Sequence, residues 1–275
     1  MPAASDLTDR VAFITGGASG IGLGIGGVLA DAGMKIAIAD VDAGELDRAA
    51  EQLRDAGAQA IACVLDVRDR DAWRAAVERA TGELGPVHIL CNNAGVTSYD
   101  PLAEMPPENW DWIVGVNLTG VFNGIRAAVP GMIGAGEGGH VVNTASTAGL
   151  HPTPGFAIGA YAATKAAVVS LSESLRIELE PNGIGVSALC PGLVDTRIGV
   201  SSAGLRPVEA VRPRPASLAQ AKRPGAASPR EVGERVLAGI RRNENYILTH
   251  PDIRPSVEER YATLLADFRE PAHVE

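Results

Sequence analysis

Short, almost continuously apolar runs alternate along this chain with longer stretches of helical period, and that rhythm limits the folds open to it. The runs are VAFIT (11–15), KIAIAD (35–40), AIACVLD (60–66), VHILC (87–91), HVVNTAS (140–146) and GVSALC (185–190), with NYILTH (245–250) as a seventh. Each is short for a helix and shows little alternation, which is how a strand covered on both faces reads. ELDRAAEQLRDAG (45–57) and DAWRAAVERATGELG (71–85) repeat apolar residues at helical spacing, and each stops at a glycine. Strand and helix thus alternate at roughly 25-residue intervals. The pattern predicts an α/β fold: a doubly wound, seven-stranded parallel sheet with helices on both faces.

Composition agrees with one globular domain over 1–275, at 46% hydrophobic and 21% charged residues. Cys63, Cys91 and Cys190 are odd in number and widely spaced. They make neither a zinc spacing nor a disulfide framework, which fits a reducing compartment. Cys91 and Cys190 read as small buried apolar residues at strand ends. The net charge of −9 argues against a nucleic-acid partner. No run approaches the roughly 18 apolar residues of a membrane span, and MPAASDLTDR lacks the layout of a signal peptide. The expectation is a cytoplasmic protein acting on a small molecule. The five histidines show no ligand spacing, so no metal is expected.

Residues 199–230 break the rhythm. Between 201 and 230 lie five prolines and six bases (Arg206, Arg212, Arg214, Lys222, Arg223, Arg230) against the single acid Glu209. Six bases against one acid leave this stretch at +5 and the remainder of the −9 chain at −14. A long aperiodic stretch within a compact domain reads as a lid, with a solvated insertion that takes no part in catalysis as the alternative, and its prolines oppose regular helix.

Thr15-Gly16-Gly17-Ala18-Ser19-Gly20-Ile21-Gly22 follows the first strand and opens a helix. Glycines at 16, 20 and 22 allow a tight turn, close approach of backbone to a pyrophosphate, and close helix–strand packing, with the helix N-terminus facing the anion. Asp40 ends the second strand, where an acid bonds both ribose hydroxyls of an adenosine and repels a 2′-phosphate. Ser19 is neutral where a base could have met that phosphate. Both observations predict NAD rather than NADP.

Further motifs follow in order: Asp66-Val67 after the third strand, Asn92-Asn93-Ala94-Gly95 after the fourth, Asn117, Ser146, Tyr161-x-x-x-Lys165, and Pro191-Gly192-Leu193-Val194-Asp195-Thr196. With TGGASGIG at 15–22, these make the chain resemble the short-chain dehydrogenase/reductase family in its compact form, over about residues 8–250. The resemblance implies an NAD-dependent alcohol dehydrogenase or ketone reductase, with Asn117, Ser146, Tyr161 and Lys165 as its catalytic set. Tyr161 and Lys165, four apart on a helix, share one face. An ammonium beside a phenol is expected to lower its pKa from about 10, making Tyr161 a general acid or base. By the resemblance, Ser146 would bond the substrate oxygen and Asn117 would hold a water linking Lys165 to solvent. Asp66 and Val67 would flank the adenine, and Asn93 and Ala94 would line its ribose. Val194 and Thr196 would hold the nicotinamide carboxamide. Ser19, Ile21, Gly95, Pro191 and Gly192 complete the cofactor-facing loops. The family also implies a homotetramer, or a homodimer, through the helices of Asn117 and Tyr161, whose outer faces are expected to carry Val121, Ile125, Val168, Leu171 and Leu175.

Ser146 and Tyr161 stand fifteen positions apart, two more than the family's usual spacing. The extra length falls in HPTPGFAIGA (151–160), which in this fold walls the substrate pocket. The pocket candidates Leu150, Pro152, Phe156, Ile158, Leu193, Ile198, Val200 and Leu205 are mostly apolar, favouring a bulky hydrophobic alcohol over a sugar. WIVGVNLTGVFNGIRAAVPGMI and the His-Pro after the last strand are similar to family members acting on bulky aryl carbinols, with steroid dehydrogenases a close alternative. In the tail, 251–275, Val257, Tyr261, Leu264, Leu265 and Phe268 fall at helical spacing and read as a docking helix. The competing class is a catalytically idle NAD-binding or sensing protein.

Overall fold

The computed structural model describes residues 7–211 and 225–268. Its first half runs β1 (Val11–Thr15), α1 (Gly20–Asp31), β2 (Lys35–Asp40), α2 (Ala43–Asp55), β3 (Ala60–Val64), α3 (Arg70–Leu84) and β4 (Val87–Asn92). There follow α4 (Pro107–Val114), a π-helical turn (Gly115–Thr119), α5 (Gly120–Ala135), β5 (Gly139–Thr144), α6 (Thr147–Leu150) and α7 (Gly159–Leu179). The chain ends through β6 (Ile184–Cys190), α8 (Ile198–Leu205), α9 (Pro229–Arg242), β7 (Tyr246–Leu248) and α10 (Arg254–Ala266).

The strands form one seven-stranded sheet, ordered β3-β2-β1-β4-β5-β6-β7 and parallel throughout. The chain winds outward from β1 to β3, returns through α3 to β4, and then winds the other way. The order therefore reverses between β1 and β4, and in such sheets a crevice opens there at the carboxyl ends of the strands. Alternate residues of β1 serve opposite layers: Val11 and Phe13 join Trp73, Ile113 and Leu175, while Ala12 and Ile14 join Ile25, Leu29 and Val232. Burial on both faces is why the strand runs show no alternation in sequence.

Helix starts follow local chemistry. Asp42 accepts from the Glu45 N–H to cap α2, and Asp69 accepts from Asp71 and Ala72 to cap α3. Ser228 and Glu231 make a reciprocal capping box on α9. By contrast α1 opens at Ser19 with no side-chain cap.

Several expectations need correction. β3 and β5 stop at Val64 and Thr144, so Asp66 and Ser146 stand in the loops just beyond. The stretch expected to lack regular structure begins with α8, because Ile198–Leu205 precedes the first proline of the segment, Pro207. Its last residue, Arg230, belongs to α9, and 212–224 lie outside the described residues. Val121, Val168 and Leu175 are buried within the chain rather than on outer faces, since α5 and α7 turn these residues inward. Phe122 and Ile133 of α5 and Ile177 of α7 are exposed apolar residues there, Ile177 at 74%. No side chain of α10 is buried, and Tyr261, Leu264, Leu265 and Phe268 are exposed. Finally, the continuous helical stretch Pro107–Ala135 is long and apolar enough to cross a membrane by length and composition, contrary to the reading above. Here it is a core element, burying Trp112, Ile113 and Asn117.

Candidate active site

A cavity of about 1030 Å³ lies along the carboxyl ends of the strands, with the β1–α1 turn on one wall. Gly16 adopts φ +64°, and a Cβ on Gly22 would stand 2.1 Å from the Gly16 carbonyl oxygen, so neither position admits a side chain without strain. Asn93 closes the turn from the β4 side, its amide donating to the Thr15 carbonyl at 2.9 Å. The backbone N–H groups of Asn93 and Ala94 both donate to Thr15 Oγ1 at 3.0 Å. Ser19, Gly20 and Ile21 line the cavity at the uncapped start of α1, where backbone N–H groups and the helix dipole favour an anion.

Asp40 faces the same cavity. Its carboxylate accepts from the Ala18 and Asp42 N–H groups, each at 3.2 Å. Burial nevertheless pushes its pKa above the ordinary carboxylate value, outweighing those bonds. Asp66 is gripped by the Arg68 guanidinium at 2.6 Å, which holds its carboxyl below the ordinary value. The neighbouring Val67 carbonyl accepts from Trp73 Nε1 at 3.1 Å and Asn123 Nδ2 at 3.0 Å, tying this wall to the core. An anion site at a helix start, a carboxylate at the next strand end and an apolar slot beyond it suit a dinucleotide.

At the other end of the cavity Tyr161 and Ser146 line the same wall. Ser146 Oγ caps α6 by accepting from the Ala148 N–H at 3.1 Å, and it donates to the Pro191 carbonyl at 3.5 Å. Lys165 Nζ donates to the Thr144 carbonyl at 2.7 Å and lies 5.6 Å from the Tyr161 ring centroid. Asn117 sits fully buried in the π-helical turn, a local widening that often marks functional sites. Its side chain holds the loop after β4 by exchanging hydrogen bonds with the Val96 N–H and carbonyl at 2.8 and 2.9 Å. A Cβ on Gly95 would lie 3.4 Å from both Asn117 Oδ1 and Lys165 Nζ, so glycine keeps these groups within reach of one another.

Electrostatics depart from the simple expectation for Tyr161. Burial raises its pKa above 10.0, against a lowering contribution from Ser146. Lys165 is itself brought down to about 8 by burial, and its ammonium is engaged with Thr144 rather than with the phenol. Desolvation of the whole pocket outweighs the pairing inferred from spacing. Burial also pushes the Cys91 and Cys190 thiols up to about 12, consistent with unreactive packing residues.

The cavity wall includes every cofactor and catalytic residue expected from the sequence except Gly22 and Asn117, which stand directly behind it. Pro191, Gly192, Val194 and Thr196 form its far rim. Of the pocket candidates, Phe156, Ile158, Leu193, Ile198, Val200 and Leu205 line it, whereas Leu150 and Pro152 do not. Leu150 instead packs against the cluster of Val121 and Val168. Sequence reasoning missed Tyr99 and Trp112 on the apolar wall, and Glu45 and Arg197 at the cofactor end. Arg197 reaches Glu45 at 3.6 Å, joining α2 to the loop after β6. Tyr99, one of only four tyrosines and four positions after Gly95, offered a signal. The Arg197–Glu45 pair offered none.

Residues 10–203 match the family model described as short chain dehydrogenase. A C alpha-dehydrogenase of Sphingobium sp. strain SYK-6 is 37% identical over 273 residues, covering 94% of this chain and 87% of that protein. A short chain dehydrogenase/reductase from Burkholderia phymatum, solved in complex with NAD, superposes with a TM-score of 0.88 at 38% identity, covering 97% of this chain and 98% of that one. The apo form of LigD from Sphingobium sp. strain SYK-6 superposes with a TM-score of 0.82 at 33% identity, covering 96% and 100% of the two chains.

Proposed function

Because the chain belongs to the short-chain dehydrogenase family and is an NAD-dependent oxidoreductase of that type, we propose that it interconverts a bulky, hydrophobic secondary alcohol and its ketone, with Tyr161 as general acid and base. The observation that carries this reading is the placement of Tyr161, Ser146 and Lys165 on one cavity whose wall also carries Phe156, Ile158, Leu193, Val200 and Leu205. A polar pair facing an apolar wall suits a substrate with one oxygen to hold and bulk to bury. The resemblance of WIVGVNLTGVFNGIRAAVPGMI to family members acting on aryl carbinols favours an aryl carbinol over a steroid.

NAD, when bound, accepts the hydride released from the alcohol carbon. The chain supplies the rest. The start of α1 binds the pyrophosphate, Asp40 the adenosine ribose, and Asp66 and Val67 flank the adenine. Asn93, Ala94 and Gly95 line the ribose wall, while Val194 and Thr196 orient the nicotinamide amide. Ser146 holds the substrate oxygen, and Tyr161 takes the hydroxyl proton in oxidation or returns it in reduction. Lys165 lies beside the phenol and passes the proton on towards Asn117. An idle binding module has no use for a phenol and a hydroxyl paired at the end of its cofactor groove.

In this reading α8 and the described residues after it, as far as Val211, begin the lid over the alcohol, the rest of the expected lid lying outside the described residues. Its described part is anchored by Val208 N–H on Asn109 Oδ1 at 3.3 Å and Val211 N–H on Asp100 Oδ1 at 2.7 Å. We also read the protein as a cytoplasmic homotetramer, supported by its free, buried thiols and by exposed Phe122 and Ile177 on α5 and α7. The test is incubation with NAD and a panel of aryl carbinols, steroid alcohols and sugar alcohols, followed by the absorbance of reduced nicotinamide. Turnover of sugar alcohols alone would overturn the substrate class, and light scattering checks the assembly.

A further inference from the structure

One peptide group at the rim of the cavity is held at both ends. The Pro191 carbonyl accepts from the Thr147 N–H at 3.0 Å and from Ser146 Oγ at 3.5 Å. The N–H of the same peptide, on Gly192, donates to His250 Nδ1 at 3.2 Å and to Thr249 Oγ1 at 3.3 Å. The imidazole also occupies the space a side chain at 192 would need: a Cβ there would lie 2.7 Å from His250 Cγ. Glycine at 192 is thus required by the ring that lies on it. Because a peptide is planar and stiff, the plane carries any displacement of His250 to Ser146 and to the loop running on to Val194 and Thr196.

The tail after His250 returns to the same wall. Beyond the turn Pro251–Ile253, Arg260 of α10 donates to the Gly149 and Leu150 carbonyls at 3.1 and 2.6 Å. These carbonyls lie at the end of α6, the helix that Ser146 opens, where a cation is favourable. No side chain of α10 is buried. The tail therefore adds little to the core, and Arg260 ties it to the end of α6.

We propose that His250 is a positioning residue: through the Pro191–Gly192 peptide it sets the separation between the nicotinamide-side loop and the Ser146 hydroxyl. The role requires an acceptor at Nδ1, the tautomer with its hydrogen on Nε2, in which Nδ1 faces the Gly192 N–H and the Thr249 hydroxyl at 2.7 Å. This inference rests on the oxidoreductase reading of the cavity. It does not depend on which alcohol is used.

The test compares His250→Leu, which removes the acceptor, with His250→Asn, whose Oδ1 can stand where Nδ1 stands. NADH titration, followed by nicotinamide fluorescence, gives affinity and ring environment without any alcohol. Initial rates with NAD and 1-phenylethanol, or the best carbinol of the panel, give kcat and KM. His250→Leu is expected to lower kcat about ten- to a hundredfold, the scale of a misplaced reacting group. Its NADH affinity should stay within about threefold and its nicotinamide emission should change, a kcat effect rather than a binding effect. His250→Asn should recover most of the loss, at a melting temperature close to that of His250→Leu. Wild-type kcat and emission in the leucine variant would overturn the proposal. So would an asparagine variant as slow as leucine, or a loss expressed wholly as weaker NADH binding or lower melting temperature. If wild-type protein oxidises none of the carbinols, the substrate reading falls, and the emission spectra still decide the role of His250.

Discussion

Ser146 and Tyr161, fifteen positions apart in sequence, line one cavity because α6 lies directly on the backbone of α7. Gly149 makes that approach possible: a Cβ there would stand 2.6 Å from the Lys165 carbonyl carbon. The two extra residues relative to the family spacing are taken up in 151–158, which places Phe156 and Ile158 on the cavity wall. Added length has altered the pocket and left the pair intact.

Tyr161→Phe keeps the buried ring and removes only the hydroxyl. Turnover of the best carbinol should fall at least about a hundredfold, the lower end of the range for losing a general acid or base. NADH affinity by fluorescence titration should stay within about threefold. A Tyr161→Phe variant with wild-type kcat would end the acid–base assignment.

Asp40 should set cofactor choice. Two like charges about 4 Å apart at an effective dielectric near 20 repel by about 4 kcal/mol, so NAD should exceed NADP in kcat/KM by at least about a hundredfold. Asp40→Ala should narrow the ratio without abolishing it, because Asp42 and Glu45 line the same end of the cavity. Steady-state kinetics with both cofactors decides this. Equal efficiency in the wild type would refute it.

Lys165 carries a stability signature. Its folded pKa of about 8 lies below the ordinary 10.5, so between these values the unfolded chain binds more protons and stability rises with pH. At neutral pH the buried ammonium costs about 3 kcal/mol, from some 2.5 units at about 1.4 kcal/mol each. Lys165→Met should therefore melt no lower than wild type at pH 7 while losing turnover and weakening NADH binding. In the wild type, NADH affinity should decline above about pH 8 as the ammonium is lost. Thermal melts and pH-resolved titrations check both, and a sharp drop in melting temperature in the methionine variant would contradict the sign.

Asp100 anchors the stretch that follows α8. Its buried carboxylate accepts from Ser98 Oγ at 2.9 Å, Asn109 Nδ2 at 3.3 Å and the Val211 N–H at 2.7 Å. Asp100→Ala leaves buried donors unmet, at about 1–3 kcal/mol. The carbinol KM should rise several-fold while NADH affinity holds, read from paired kinetics and titration. An unchanged KM would separate this stretch from substrate binding.

The seven strands, the glycine turn and Asp40 were legible in the sequence because each depends on local chemistry: apolar runs, backbone conformations open to glycine, and a charge at a strand end. So was the grouping of Asn117, Ser146, Tyr161 and Lys165, once motif order was weighed. The facing of Val168 and Leu175 was not, because an apolar helical residue reads alike whether it meets its own sheet or another surface. Nor was the raised pKa of Tyr161: its neighbour Lys165 is visible in the chain, but the depth of burial belongs to the assembled pocket. The meeting of His250 with Gly192, 58 positions apart, arises only because parallel pairing of β6 with β7 sets their following loops side by side. Sequence thus specified the elements and much of the chemistry, while tertiary structure decided which groups touch and how dry they are, since contact and desolvation depend on residues far apart in the chain.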